Sequence, residues 1–105
     1  MSEAEQKTAS LLTAMWLRIR PIVEERMVAL DGAADAVAAG SLSEELRKEA
    51  HGSAHKLAGS LGMYGFDEGT RIAQQLEVLL ESMRPDSARL TALVVELRQT
   101  IFPNR

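Results

Sequence analysis

Residues 42–62 read LSEELRKEAHGSAHKLAGSLG, and the fold follows from which of these positions are apolar. Leu42, Leu46, Ala50, Leu57 and Leu61 recur at the spacing of one stripe of a helix. At about 100° per residue, setting His55 at zero places that stripe roughly 120° to 180° away. A helix with this pattern buries its leucines and holds His55 in solvent. Ser41, Leu42, Ser43 and Glu44 read as its start, because a serine oxygen can accept the free N–H groups of a first turn while Glu44 reaches back three residues. The helix is predicted to begin near Leu42, and the glycines at 62 and 65 mark its end.

Working outward, Leu12, Met15, Trp16 and Ile19 define a short first helix. Pro21 lacks the N–H of a helical bond and disfavours α geometry at Arg20, so that helix is predicted to end or kink there. Val23, Met27, Leu30, Ala34 and Val37 renew the period over 21–39, weakened at Asp31-Gly32 and closed by Gly40. Beyond the central helix, Asp67 is placed to cap a fourth, with the stripe Ile72, Leu76, Leu79, Leu80 and Met83 running to Arg84-Pro85. A fifth starts at Asp86 or Ser87 and carries Leu90, Leu93, Val94, Leu97 and Ile101 as far as Phe102-Pro103. No window shows the period-two alternation of a half-buried strand. Five amphipathic segments joined by short turns predict an all-α protein, an antiparallel up-down four-helix bundle with a short additional N-terminal helix over one end. Trp16 is the expected plug there, and Tyr64 and Phe66 are read as helix-end packing. Residues 1–105 form one domain, with 1–7 and 103–105 expected to fray, and its stripes can all be buried in a monomer.

Composition narrows the function. Fifteen acidic against twelve basic residues give a net charge of −3, the wrong sign for a chain that must displace counterions from nucleic-acid phosphates. With 46% apolar and 26% charged residues a packed core is expected. No cysteine is present, so disulfides, thiolate metal sites and thiol catalysis are ruled out, and a reducing, cytoplasmic setting is expected. The polar start MSEAEQKTAS lacks the pattern of a secretory signal, and no apolar run approaches the 18 to 20 residues of a bilayer span. No membrane partner is expected.

The two histidines, His51 and His55, lie four apart on one face of the central helix. Gly52, Gly59, Gly62 and His51 all fall within about 60° of His55. Each glycine in a helix costs about 1 kcal/mol relative to alanine. Gly62, near the terminus, reads equally well as a packing glycine. Gly52 and Gly59 face away from the leucines, and clearing the surface there would let another protein bring a reactive group to the ring. Lys48, about 20° from His55 two turns earlier, is read as a solvated lysine that could aid docking.

The stretch Ala54-His55-Lys56-Leu57-Ala58-Gly59-Ser60, followed by Leu61-Gly62 and then Leu76-Glu77, resembles the signature of histidine-containing phosphotransfer (HPt) domains. Members of that family are four-helix bundles whose exposed histidine takes a phosphoryl group from a receiver-domain aspartate and passes it to another. The resemblance implies that His55 is the phosphoacceptor, that Gly59 gives the partner room, and that Lys56 supports the phosphoryl group electrostatically. The usual lysine three residues after the histidine is Ala58 here, with the lysine displaced to position 56. His51 and Gly52 are supporting neighbours. The implied partners are response-regulator receiver domains or a hybrid sensor histidine kinase.

The chemistry agrees. Imidazole is largely neutral near pH 7 and offers one ring nitrogen lone pair to phosphorus. A loose phosphoryl-transfer transition state asks for in-line positioning and for Mg²⁺ or basic groups to balance oxygen charge. The sequence shows no carboxylate cluster for Mg²⁺, so the partner receiver is expected to supply it. Without GxxxxGK[ST] or another phosphate cradle the chain is expected to relay phosphate as a carrier, with no cofactor of its own and no autonomous kinase activity. Two other readings stand beside this one. An i,i+4 histidine pair could bind a metal as in HExxH, although Gly52 occupies the place of the glutamate. An adaptor bundle could bind signalling partners without accepting phosphate.

Overall fold

The computed structural model describes residues 2–103. Four α-helices account for most of them: α1 (Glu3–Ala38), α2 (Glu44–Ser60), α3 (Asp67–Leu79) and α4 (Ser87–Ile101), with a 3-10 turn at Leu61–Tyr64 between α2 and α3. No strand occurs among the described residues. The helices close on one another in a ring, α1 packing on α2 and α4, and α3 packing on the same two. Inside it lies one continuous core, whose largest fully buried side chains include Met27, Leu30, Leu57, Leu61, Ile72, Leu76, Leu80, Leu90 and Leu97. The stripe expected for the last helix, Leu90, Leu93, Val94, Leu97 and Ile101, is buried throughout.

The expected break at Pro21 does not occur. The two predicted N-terminal segments are one helix of 36 residues, with Pro21 inside it. Pro21 costs the bond to the carbonyl of Leu17, but both residues are exposed, so water can take the orphaned carbonyl. Packing holds the helix on either side of Pro21. Before it, the Trp16 ring lies 4.8 Å from that of Phe66, 5.7 Å from Tyr64 and 6.1 Å from Phe102. After it, Val23 and Met27 enter the core. At about 1.5 Å per residue α1 spans about 54 Å. That matches the 53 Å long axis of the molecule, so its first turns stand beyond the bundle. Residues 3–7, where fraying was expected, belong to α1 and are exposed, while the same expectation for residues 1, 104 and 105 lies outside the described residues.

Helix ends differ from the sequence reading by a residue or more, for local chemical reasons. Ser43 and not Ser41 caps α2, its hydroxyl accepting from the Leu46 N–H, and Glu44 is committed to Arg47 instead of reaching back. Asp67 is the first residue of α3 and not its cap; that place falls to Phe66, without a side-chain bond. α3 ends at Leu79, before the predicted Arg84, so Met83 belongs to the following turn and is 76% exposed. Asp86 caps α4 through a 2.8 Å bond from the Arg89 N–H. Gly40, at φ 70°, takes the left-handed conformation that closes α1, as its position predicted.

Candidate functional site

His55 sits near the centre of α2 between two buried neighbours of the core, Ala54 and Leu57. Those residues turn the opposite face of the helix outward, and the His55 side chain is 72% exposed. One carboxylate meets it. Glu77 of α3, itself 23% exposed, stands with its oxygens 3.0 and 3.2 Å from Nδ1. A carboxylate only accepts, so this contact favours the neutral tautomer with its hydrogen on Nδ1 and the lone pair on Nε2.

One turn back along α2, His51 is less exposed, and its Nε2 lies 3.9 Å from an oxygen of Glu81. That nitrogen is enclosed and makes no hydrogen bond. The two histidines thus face two acidic residues that are also four apart, His55 opposite Glu77 and His51 opposite Glu81. Among the described residues no group of three or more His, Asp or Glu is arranged to hold a metal ion.

Gly52, Lys48 and Lys56 lie on the opposite flank, towards α1. A Cβ built on Gly52 or Gly59 meets nothing within 4 Å, so no packing contact requires glycine at either place. At Gly62 the same atom would meet the Thr70 hydroxyl at 3.4 Å, which supports the packing reading of that residue. Lys56 and Lys48 line a groove between α1 and α2 together with Ile22, Arg26 and Gly52. Ala58 is half-buried against the core on the other side. Lys56 thus approaches from the α1 side, away from Glu77.

Two residues of this region were given no role from sequence. In the sequence Glu77 shows only as half of a Leu-Glu pair, because its place against His55, 22 positions away along the chain, depends on the register of two helices. Arg47 carries no sequence signal that sets it apart from the other charges of α2. It bonds Glu44 within its own helix and the main chain at the end of α3. Their mutual hydrogen bond holds the Glu44 carboxyl below its ordinary value and raises that of Arg47 further.

A helical bundle that presents a solvent-facing histidine from mid-helix, with a carboxylate on one ring nitrogen and the other free, has the form of a phosphotransfer module. The family model for the Hpt domain matches residues 9–101, and the chain belongs to that family, the phosphotransfer modules of two-component signalling. Among curated proteins, Protein RcaC of Microchaete diplosiphon is 33% identical over 104 residues, a match covering 95% of this chain and 16% of that protein. The chain therefore spans only a small part of that relative's length. No solved structure matches. No helix among the described residues is long and apolar enough to cross a membrane.

Proposed function

We propose that the chain is a phosphocarrier of a phosphorelay, accepting a phosphoryl group on His55 Nε2 from the aspartyl phosphate of a receiver domain and passing it to another. The observation that carries this reading is the carboxylate on Nδ1 of an otherwise open ring. In the forward step the Nε2 lone pair attacks phosphorus, the N–P bond forms, and the P–O bond to the receiver's aspartate breaks with that carboxylate as leaving group. No proton leaves His55. The ring becomes cationic on phosphorylation, and Glu77 both fixes the tautomer beforehand and faces the charge afterwards, the role a carboxylate plays beside a catalytic imidazole elsewhere. Return of the phosphoryl group to a second aspartate is the same step reversed.

Several further assignments belong to this reading. Gly59 and Gly52 leave room for the receiver, Lys56 offers positive charge from the α1 side, and His51 is a neighbour and not a second acceptor. Mg²⁺ is assigned to the receiver, and this chain's own residues orient the ring and hold its proton. The up-down antiparallel order of the bundle is supported by paired contacts that run in opposite chain directions, His55 with Glu77 and His51 with Glu81, and on α1 and α4 Asp31 with Arg98 and Arg20 with Phe102. A monomer in a cytoplasmic setting completes the proposal.

The deciding experiment incubates the chain with a phosphorylated receiver domain and assays for acid-labile phosphate, alongside His55→Gln. Phosphate on the parent and none on the variant is the expected result. The exposed substitution should leave stability within about 0.5 kcal/mol. A receiver that binds the parent without transferring phosphate would instead make the bundle an adaptor.

A further inference from the structure

Arg47 connects the start of α2 to the end of α3. Its Nη1 donates to the carbonyl of Leu80 at 2.6 Å and to that of Glu81 at 3.4 Å. The other edge of the guanidinium is held by Glu44, Nε donating to Oε2 at 2.8 Å and Nη2 to Oε1. Only 13% of the side chain is exposed. Carbonyls at the end of a helix have no donor of their own and sit at the negative end of its dipole, so a cation there satisfies both. Because Glu44 fixes the planar fork, the donor aimed at α3 is rigid.

The clamp is in line with the site. Glu81, whose carbonyl Arg47 reaches, carries the carboxylate facing His51, and Glu77 one turn earlier faces His55. An axial slip of α3 along α2 would displace both pairs together. Hydrogen bonds weaken beyond about 3.2 Å and with loss of linearity, so a slip of one residue's rise, about 1.5 Å, is enough to uncouple Glu77 from Nδ1.

We propose that Arg47 is a positioning residue for His55: its bonds to the Leu80 and Glu81 carbonyls set the register of α3 on α2, and that register keeps the proton on Nδ1 and the lone pair on Nε2. Its use in phosphoryl transfer rests on the function proposed above, whereas its effect on the ring does not. The competing account is that the leucines between α2 and α3 fix the register unaided.

The two accounts separate on the tautomer of neutral His55, read by NMR on the full chain labelled with ¹⁵N in its histidines. The parent should hold the hydrogen mainly on Nδ1, and Glu77→Ala should lose that bias. Arg47→Met should reproduce at least half of the Glu77→Ala change, and should add nothing when combined with it. Arg47→Lys, which keeps one donor, should restore part of the bias. Glu44→Gln, which frees the fork, should shift the tautomer in the same direction by less, and it decides the matter with Arg47→Lys if Arg47→Met does not fold. At saturating phosphorylated receiver, kcat for Arg47→Met should fall about tenfold with KM unchanged, the pattern of a misplaced reacting atom. A parental tautomer in every variant that folds, even with a lower melting temperature, would reduce Arg47 to a structural clamp and overturn the proposal. Failure of the parent to accept phosphate would remove the proposed function but leave the tautomer result to decide the role of Arg47.

Discussion

The two flanks of His55 are built in opposite ways. On the α3 side the polar groups meet charged partners: Glu77 holds Nδ1, Glu81 faces His51, and Arg47 ties the end of α3 to α2. On the α1 side Gly52 and Gly59 have open space where a side chain would stand, and Lys48 and Lys56 line a groove. The difference separates two needs of the phosphoryl carrier proposed above. A ring must be held in one orientation and tautomer, which calls for fixed contacts from within the fold. It must also be reached by a folded donor, which calls for the absence of contacts. One helix meets both needs because α3 covers one flank of its histidine and leaves the other open.

The proposed division predicts that changes on the two flanks fail in different ways. The largest effect is expected on the open side. Gly59→Gln should hold or raise stability, by up to about 1 kcal/mol on intrinsic helix scales, since no neighbour resists the new side chain. Transfer from a phosphorylated receiver should nevertheless fall about 100-fold, the cost of displacing reacting atoms by about 1 Å. A small-molecule phosphodonor needs less clearance and should still work. Equal loss with both donors, or a damaged melt, would return Gly59 to a packing role. On the held side, Glu77→Ala removes one charge-assisted hydrogen bond of about 1.5 kcal/mol, or roughly tenfold in rate. That loss should appear equally with receiver and small-molecule donors, because it acts on the ring and not on access. A loss confined to the receiver would show that Glu77 serves docking.

What could be read in the sequence follows the same line. The open flank was legible because it is local: a helical wheel places Gly52 and Gly59 beside His55 and the leucines opposite, with no knowledge of any other helix. The stripe of α4 was legible for the same reason. The held flank was not, since the approach of Glu77 to His55 depends on which helices pack and in what register. Arg47 reads as one more charge on a polar face until the end of α3 is beside it. Pro21 misled for a related reason, since local sterics favour a break there, while the aromatic cluster around Trp16 and the burial of Val23 and Met27 keep α1 continuous. Met83 fitted the period of α3 but lies beyond its end.

Smaller effects sharpen the contrast within the held flank itself. His51→Gln should leave phosphoryl transfer within about a factor of two, because its Nε2 is 3.9 Å from Glu81 and no hydrogen bond is lost. Transfer abolished by that change and retained in His55→Gln would show that the acceptor had been assigned to the wrong histidine.

The smallest expected effect is a pH dependence of the clamp. The hydrogen bond from Arg47 holds the Glu44 carboxyl below its ordinary value of 4.5 in the folded protein. A carboxyl depressed on folding contributes stability that is present above its unfolded value and is lost as pH falls through the folded one. Arg47 stays charged across that whole range, so the dependence comes from the Glu44 side of the pair. Urea midpoints of the parent and of Glu44→Gln should therefore differ by a constant amount between neutral pH and about pH 5, and the gap should close only below the ordinary carboxylate range. The gap will be narrow, because the Glu44 side chain is 48% exposed and water screens the pair. A gap that persists undiminished to pH 3 would mean that Glu44 stabilises the start of α2 by something other than its charge. The guanidinium fork would then need another anchor to keep its far edge on the carbonyls of α3.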